Sequence, residues 1–200
     1  MFFNSNFILA STSISRKKIF NNLKIPIKAI NPICDEDSLK KQLLKKKYPP
    51  KKISLELARL KSKSISQINK KQLVVGSDTV IELNGKIINK AKNINDARLK
   101  IKKLSNKKHI IYSSASVFYN NKEVWHTTQK TTVTIRKLQK AEIDYYLLRA
   151  GKEILSSVGC YQLEFLGPNI IKQIQGDFFN VMGFPLFPFL NFLKNNTKKI

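Results

Sequence analysis

Two hundred residues with 42% hydrophobic content are enough to bury a proper core, as one domain or as two closely joined lobes. The formal net charge of +24 suggests a polyanion partner, but lysine carries almost all of it, the only arginines being Arg16, Arg59, Arg98, Arg136 and Arg149. The lysines lie scattered in pairs and triplets (Lys45-Lys46-Lys47, Lys51-Lys52, Lys70-Lys71, Lys107-Lys108), which reads as a solvated basic surface with a general attraction for phosphates more than as a dedicated nucleic-acid face.

Residues 1–7 lack a basic n-region, and their apolar run is too short for a signal peptide or a membrane span. Phe7-Ile8-Leu9-Ala10 reads as a buried strand running into Ser11-Thr12-Ser13, natural N-cap residues for a helix with Ile19, Phe20 and Leu23 on one face. Residues 25–30 form a second predicted strand. Residues 32–50 are a polar connection with the acidic cluster Asp35-Glu36-Asp37 and a short basic helix. Ser54 opens a longer helix with Leu57, Ala58, Ile65 and Ile68 at near-helical spacing. A strand over 74–83 turns at Asn84-Gly85, a strong hairpin signal, and returns through Ile87-Ile88.

Asn93 with Asp96 resembles a capping box for the next helix, whose apolar face is Ile94, Ala97, Ile101 and Leu104. Two long β segments follow, 110–119 and 124–135, joined at Asn120-Asn121, which tolerates positive φ. A helix over 141–148 stops at Gly151. The remainder is 160–165, 169–175 and a final helix near 186–193. The very apolar stretch 178–193 contains Asn180 and is broken by Gly183, Pro185 and Pro188, so it reads as core or subunit interface and not as membrane. Strands and helices interleave without repeats, giving α/β or α+β with a mixed sheet. Cys34 and Cys160 form no C-x-x-C pair, so neither a disulfide framework nor a thiolate metal site is indicated, and a reducing cytoplasm fits.

The segment richest in chemistry is Val74-Val75-Gly76-Ser77-Asp78-Thr79-Val80. An apolar β-branched run ends in Gly-Ser and delivers Asp78 directly off a buried strand, where a rigid scaffold can hold a catalytic carboxylate; a plain Gly-Ser-Asp turn is the other reading. Ser11 to Lys18 puts hydroxyls, backbone N–H groups and cations where a strand meets a helix N-terminus. That arrangement is an anion site or, equally, an N-cap with a basic turn. Neither Gly-rich nucleotide loop, G-x-x-x-x-G-K-[ST] or G-x-G-x-x-G, occurs. Lys61, Lys90 and Glu36 each read alone as surface residues. His109 and His126 read as surface or core residues, and Cys160 has no evident His partner.

Together these segments resemble the Maf family of nucleotide pyrophosphatases over nearly the whole chain. Residues 8–16, Ile-Leu-Ala-Ser-Thr-Ser-Ile-Ser-Arg, look like the opening L-A-S-x-S-P-R-R signature. Leu57-Ala58-Arg59-Leu60-Lys61 is similar to the L-A-x-x-K helix, and Gly76-Ser77-Asp78-Thr79 to the G-[AS]-D-[TQ] motif. Asn84-Gly85 to Lys90 looks like the hairpin ending in K-P, and Gly176-Asp177 through Asn180-Val181-Met182-Gly183-Phe184-Pro185-Leu186 resembles the closing G-D…N-V-x-G-L-P-L. Each motif is weak alone; five in order are specific.

The resemblance implies a single α/β domain over 1–200: a mixed twisted sheet flanked by helices, in two lobes around a central cleft, an inosine triphosphatase-like architecture, commonly a homodimer. It implies hydrolysis of a canonical or modified nucleoside triphosphate to the monophosphate and pyrophosphate with a divalent cation, Mg or Mn. Residue by residue, Asp78 takes the general-base position, with metal ligation as its other role. Arg16, Lys61 and Lys90 take phosphate positions beside the hydroxyls Ser11 and Ser13, and Glu36 an acidic position near the metal. Ser15, Thr79 and Glu164 fall where the family selects its base. Ile14 replaces the usual Pro, Ser15 the first Arg of the pair, and Ala91 the Pro after Lys90. Glu164 stands where uridine- or thymidine-type members carry Gln and resembles the branch acting on 7-methylguanosine triphosphate, a branch that typically has Gln at position 79. The rival readings are a nucleic-acid-binding protein, for which no recognition motif appears, and a non-catalytic regulator of cell division. The expected partner is a nucleoside triphosphate, with no specific nucleic acid and no membrane.

Overall fold

The computed structural model describes residues 6–196; the expectation for the N-terminal segment rests mainly on residues 1–5, outside that range. Among the described residues the strands form one seven-stranded mixed sheet in the order β2-β1-β3-β5-β6-β7, with β4 paired to β3. Helices flank it, as the α/β expectation has it. The strands are β1 (Phe7–Ala10), β2 (Ile27–Ile30), β3 (Leu73–Leu83), β4 (Lys86–Ile88), β5 (Lys108–Tyr119), β6 (Lys122–Ile135) and β7 (Ile171–Gln175). The helices are α1 (Ile14–Asn22), α2 (Glu36–Lys45), α3 (Pro50–Ser66), α4 (Ile94–Leu104), α5 (Lys140–Ala150), α6 (Gly167–Ile170), α7 (Phe178–Val181) and α8 (Leu186–Asn196).

One feature of β3 organises everything near the cavity. Along one edge its first half pairs in parallel with β1, Ala10 lying opposite Gly76. Along the same edge its second half pairs antiparallel with β4, Ile88 lying opposite Ile81. The two neighbours therefore run head-on towards each other, and the ends of both point at residues 77–80. Those four positions have no strand partner on that edge, while β5 pairs with all of them on the other. The chain leaving β1 becomes the Ser11–Arg16 segment, and the chain leaving β4 becomes Asn89-Lys90. Both must pass the same gap.

Helix α3 covers one face of β3. Its buried stripe is Ile53, Ser54, Leu57, Ala58, Lys61, Ser62, Ile65 and Ser66, a helical period that places Lys61 against the sheet and not on a wet face. The approach is close because residue 76 is glycine. A Cβ there would lie 2.4 Å from the Ala58 carbonyl oxygen and 2.6 Å from the Ser62 nitrogen, both backbone atoms that can move only with the helix. Gly76→Ala is therefore expected to cost about 1–3 kcal/mol, the range for overpacking. Its thermal unfolding midpoint should fall by several degrees, and an unchanged midpoint would show that α3 sits less tightly than described.

The main core lies on the opposite face. Phe7, Phe20, Phe184 and Phe189 pack edge-to-face with ring centroids 4.9–5.9 Å apart, and Trp125 stacks on Phe192 at 5.1 Å. The apolar C-terminal stretch is thus largely core, although Phe178 and Phe187 remain exposed. Among the described residues no helix is long and apolar enough to cross a membrane.

Several expected boundaries move for identifiable reasons. The long helix starts at Pro50, not Ser54, because Pro49 is extended and proline is pre-organised for the first turn. Ile68, expected on its apolar face, lies past its end and is exposed, as is Leu23 after α1. The second strand begins at Ile27, not 25. The short basic helix is ten residues long; Asp35 caps it and Glu36 and Asp37 sit in its first turn, favourable for carboxylates. The Asn93–Asp96 box is half formed: Asn93 Oδ1 accepts from the Asp96 amide, but the Asp96 carboxylate reaches back to the Lys92 amide. The segment 160–165, given no element from the sequence, is held by turns, with Cys160 at φ 56°. The hairpin turn is as read, with positive φ at both Asn84 and Gly85.

Candidate active site

The strand gap opens into a cavity of about 910 Å³. It is lined by every residue singled out from the sequence as a candidate: Ser11, Ser13, Ser15, Arg16, Glu36, Lys61, Asp78, Thr79, Lys90 and Glu164. Alternation along β3 divides them between the two faces of the sheet. Asp78 shares its face with Gly76 and meets α3; Thr79 points to the other face and meets Arg16 and Gly183.

On the α3 face, Lys61 Nζ lies 2.7 Å from Asp78 Oδ1 and 2.8 Å from Glu36 Oε2. One ammonium thus gathers a carboxylate from the centre of the sheet and another from the first turn of α2. Lys61 and Asp78 are largely shielded from solvent, with side-chain exposures of 9% and 14%, whereas Glu36 is open at 41%. The ammonium has three donors and the carboxylates take two.

On the other face, Arg16 is buried at 8% exposure. Its Nε donates to the Gly183 carbonyl at 2.7 Å, Nη1 to Ser11 Oγ at 3.3 Å and Nη2 to Thr79 Oγ1 at 3.1 Å. Three of the five guanidinium donors are thereby used to fix the fork, leaving two N–H groups. Burial lowers the Arg16 pKa from the ordinary arginine value, while the charges of Asp78 and Glu36 act against that shift. The Gly183 carbonyl also accepts from Ser77 Oγ at 3.0 Å, and Gly183 itself has φ 101°, a conformation glycine takes without strain. Ser13 caps α1 by accepting from the Arg16 amide, and Ser11 Oγ accepts from the Ser13 amide. These two hydroxyls shape the turn that carries Arg16, which is the N-cap reading of that segment; both also line the cavity.

Lys90 arrives from the other side of the gap. The residue as a whole is exposed, yet burial around its ammonium pulls its pKa below the ordinary lysine range. Repulsion from Arg16 and then Lys61 adds to the shift, and Asp78 and Glu36 oppose it. Three cations thus share a small space with two carboxylates. Lys40, Lys41 and Lys92 line the same cavity and escaped the sequence reading, because the basic runs that hold them look like every other lysine run. Ser15 and Glu164 are half-buried in the wall; among the described residues Glu164 forms no ion pair with a lysine. Among those residues no three His, Cys, Asp or Glu side chains gather into a metal-binding cluster.

Curated relatives include a nucleoside triphosphate pyrophosphatase of Pelagibacter ubique, 36% identical over 94% of this chain and 96% of the relative. Another nucleoside triphosphate pyrophosphatase, from Caulobacter vibrioides, is 33% identical over 93% of both chains. A 7-methyl-GTP pyrophosphatase of Bartonella henselae is 34% identical over 92% of this chain and 91% of its own. The family profile described as Maf-like protein matches residues 6–196, so the chain belongs to the Maf-like protein family.

Proposed function

We propose that the chain is a nucleoside triphosphate pyrophosphatase, cleaving between the α and β phosphates to release the monophosphate and pyrophosphate. The observation that carries the reading is the meeting of Asp78, Glu36, Lys61, Arg16 and Lys90 around one cavity. Relatives carrying that enzyme name support it. Such a cut needs charge neutralisation, positioning and an activated water more than covalent chemistry.

Each side chain has a part that follows from its surroundings. Burial first, and then repulsion from Arg16 and Lys61, lowers the Lys90 pKa in the free protein, and a triphosphate entering among the three cations relieves that repulsion. Arg16 turns its two spare N–H groups to phosphate oxygens while Gly183, Ser11 and Thr79 keep it aligned. Lys61 offers its third donor to the phosphates and holds the Asp78 carboxylate at the strand gap. Asp78 accepts a proton from the attacking water. A divalent cation fits this donor set: Glu36 and Asp78, brought together by the Lys61 ammonium, would supply hard oxygen ligands beside it, and Mg²⁺ is usually held by one or two carboxylates with substrate phosphates. When bound there it would neutralise charge on the phosphate oxygens.

The direct test is pyrophosphate release by the purified chain across canonical and modified nucleoside triphosphates, with Mg²⁺ or Mn²⁺ and with chelator. Metal-dependent release is the expected result. Tight oligonucleotide binding with a steep salt slope and no turnover would instead make this a nucleic-acid binder. Nucleotide binding without turnover would favour the regulatory reading.

Base selection falls to the wall bearing Glu164. An ionised carboxylate offers only acceptors, which suit the adjacent N1–H and N2–H donors of guanine; a glutamine amide suits the O4 and N3–H of uracil or thymine. A matched pair of this kind discriminates by roughly 1–3 kcal/mol in base readout. The enzyme is therefore expected to favour guanine-type substrates, including 7-methylated ones whose positive ring attracts the carboxylate. Glu164→Gln should shift kcat/KM towards UTP or dTTP, and an unchanged guanine-to-uracil ratio would remove Glu164 from the base pocket.

A further inference from the structure

The segment 157–166, between the 3-10 turn Gly151–Ser156 and α6, forms a wall of the cavity without belonging to a strand or an α-helix. No ladder fixes it, so its position depends on anchors, and Tyr161 is one of them. This residue lines the cavity yet is only 4% exposed. Its hydroxyl lies 2.6 Å from Nε2 of His109, a residue of β5 that is 1% exposed and does not line the cavity itself. His109 and Ile111 share a face of β5 by strand alternation, and Ile111 does line the cavity. His109 thus stands one step behind the wall.

The rest of the segment is built around this contact. Ser157 Oγ donates to the Tyr161 carbonyl at 2.6 Å, and the Tyr146 hydroxyl to the Cys160 carbonyl at 3.3 Å. Gly159 must lack a side chain, because a Cβ would come within 2.5 Å of the Tyr161 ring. Among the described residues the imidazole makes its one hydrogen bond here, for Nδ1 is buried without a partner among them. An apolar residue would avoid that unsatisfied atom, so the single bond to Tyr161 is what a histidine at 109 adds. Burial pulls the His109 pKa down to about 4, so the ring is neutral at physiological pH.

We propose that His109 is a positioning residue for base selection, holding Tyr161 so that the wall from 161 to 164 meets the nucleobase at a fixed distance. The inference rests on the pyrophosphatase reading and extends it to two residues outside the phosphate and metal positions. Breaking the bond lets the wall shift, which changes how Glu164 meets one base against another. The phosphate end, held by separate elements, is untouched.

The test is kcat and KM for 7-methyl-GTP, GTP, UTP and dTTP in wild type, Tyr161→Phe, His109→Phe, His109→Gln and the double Phe variant, each with a thermal melt. Tyr161→Phe and His109→Phe are each expected to narrow the ratio of kcat/KM between the guanine-type and uracil-type substrates about three- to tenfold. That is the range for one hydrogen bond, and it should appear mainly in KM. The double variant should be no worse than either single one, and His109→Gln, which can still bond the hydroxyl, should recover the ratio. A ratio unmoved in Tyr161→Phe, the variant that deletes one oxygen, overturns the proposal, as does a lowered melting temperature with the ratio unchanged. If wild type releases no pyrophosphate from any triphosphate, the site reading itself fails and takes this inference with it. An active wild type whose base ratio is indifferent to both residues sinks the inference alone.

Discussion

Asp78→Asn is expected to lower pyrophosphate release by about a hundredfold to ten-thousandfold, the range for loss of a general base, while leaving the fold in place. The substitution keeps size and one acceptor oxygen, so Lys61 retains a partner at the position now 2.7 Å away and still pairs with Glu36. What it removes is the negative charge at the strand gap and with it the capacity to take a proton from water. A melting temperature within a few degrees of wild type, together with the lost turnover, separates this outcome from unfolding. Activity within a few-fold of wild type would overturn the assignment of Asp78, whatever its place in the sheet.

The second large effect is expected at Lys61. Replacing it with Met leaves two carboxylates facing each other where an ammonium had drawn them together, and it withdraws a donor from the phosphates. Turnover should fall by about a hundredfold or more, comparable to losing one preorganised donor in a water-poor site. Lys90→Met should also fall markedly. Lys107→Met, at an exposed residue that does not line the cavity, should stay within about twofold, since surface substitutions of this kind are nearly neutral. Lys61→Met also separates activity from cation binding. Without the ammonium to compete for Asp78 and Glu36, nucleotide-free protein should bind Mn²⁺ more tightly, measured by loss of the free-ion paramagnetic signal. Equal, small effects at 61, 90 and 107 would show that the phosphate clamp lies elsewhere.

How much of this was legible in the sequence depended on the range of the interaction. Asn84-Gly85 announces its hairpin because the turn requires positive φ at both positions, a local demand. Asp78 was readable because a β-branched run ends beside it. Lys61 was legible only through the L-A-x-x-K resemblance and alone read as surface, because its role depends on Glu36, 25 residues earlier in the chain, and on a glycine that lets the helix approach. The head-on meeting of β1 and β4 was hidden for the same reason: register between segments about 80 residues apart leaves no local trace. Residues 160–165 carry no element signal. Cys160, Tyr161 and Leu163 are all buried as plugs of an irregular segment bonded by side chains, which leaves no periodicity to read. His109 read as a surface or core residue; the structure buries it, and its bond to Tyr161 gives no signal at a separation of 52 positions.

The head-on strands also determine where the chain can change length. Extra residues at the Asn84-Gly85 tip lengthen the far end of the hairpin and leave Ile88 opposite Ile81, so the delivery of Lys90 is unaltered. One extra residue between Ile88 and Lys90 would carry the ammonium past the gap or turn it to the other side. The same holds between Ala10 and Arg16, where Ser11 and Ser13 set the approach of the guanidinium. Descendants of this chain are therefore free to grow at one end of the β3–β4 hairpin and must count residues strictly at the other.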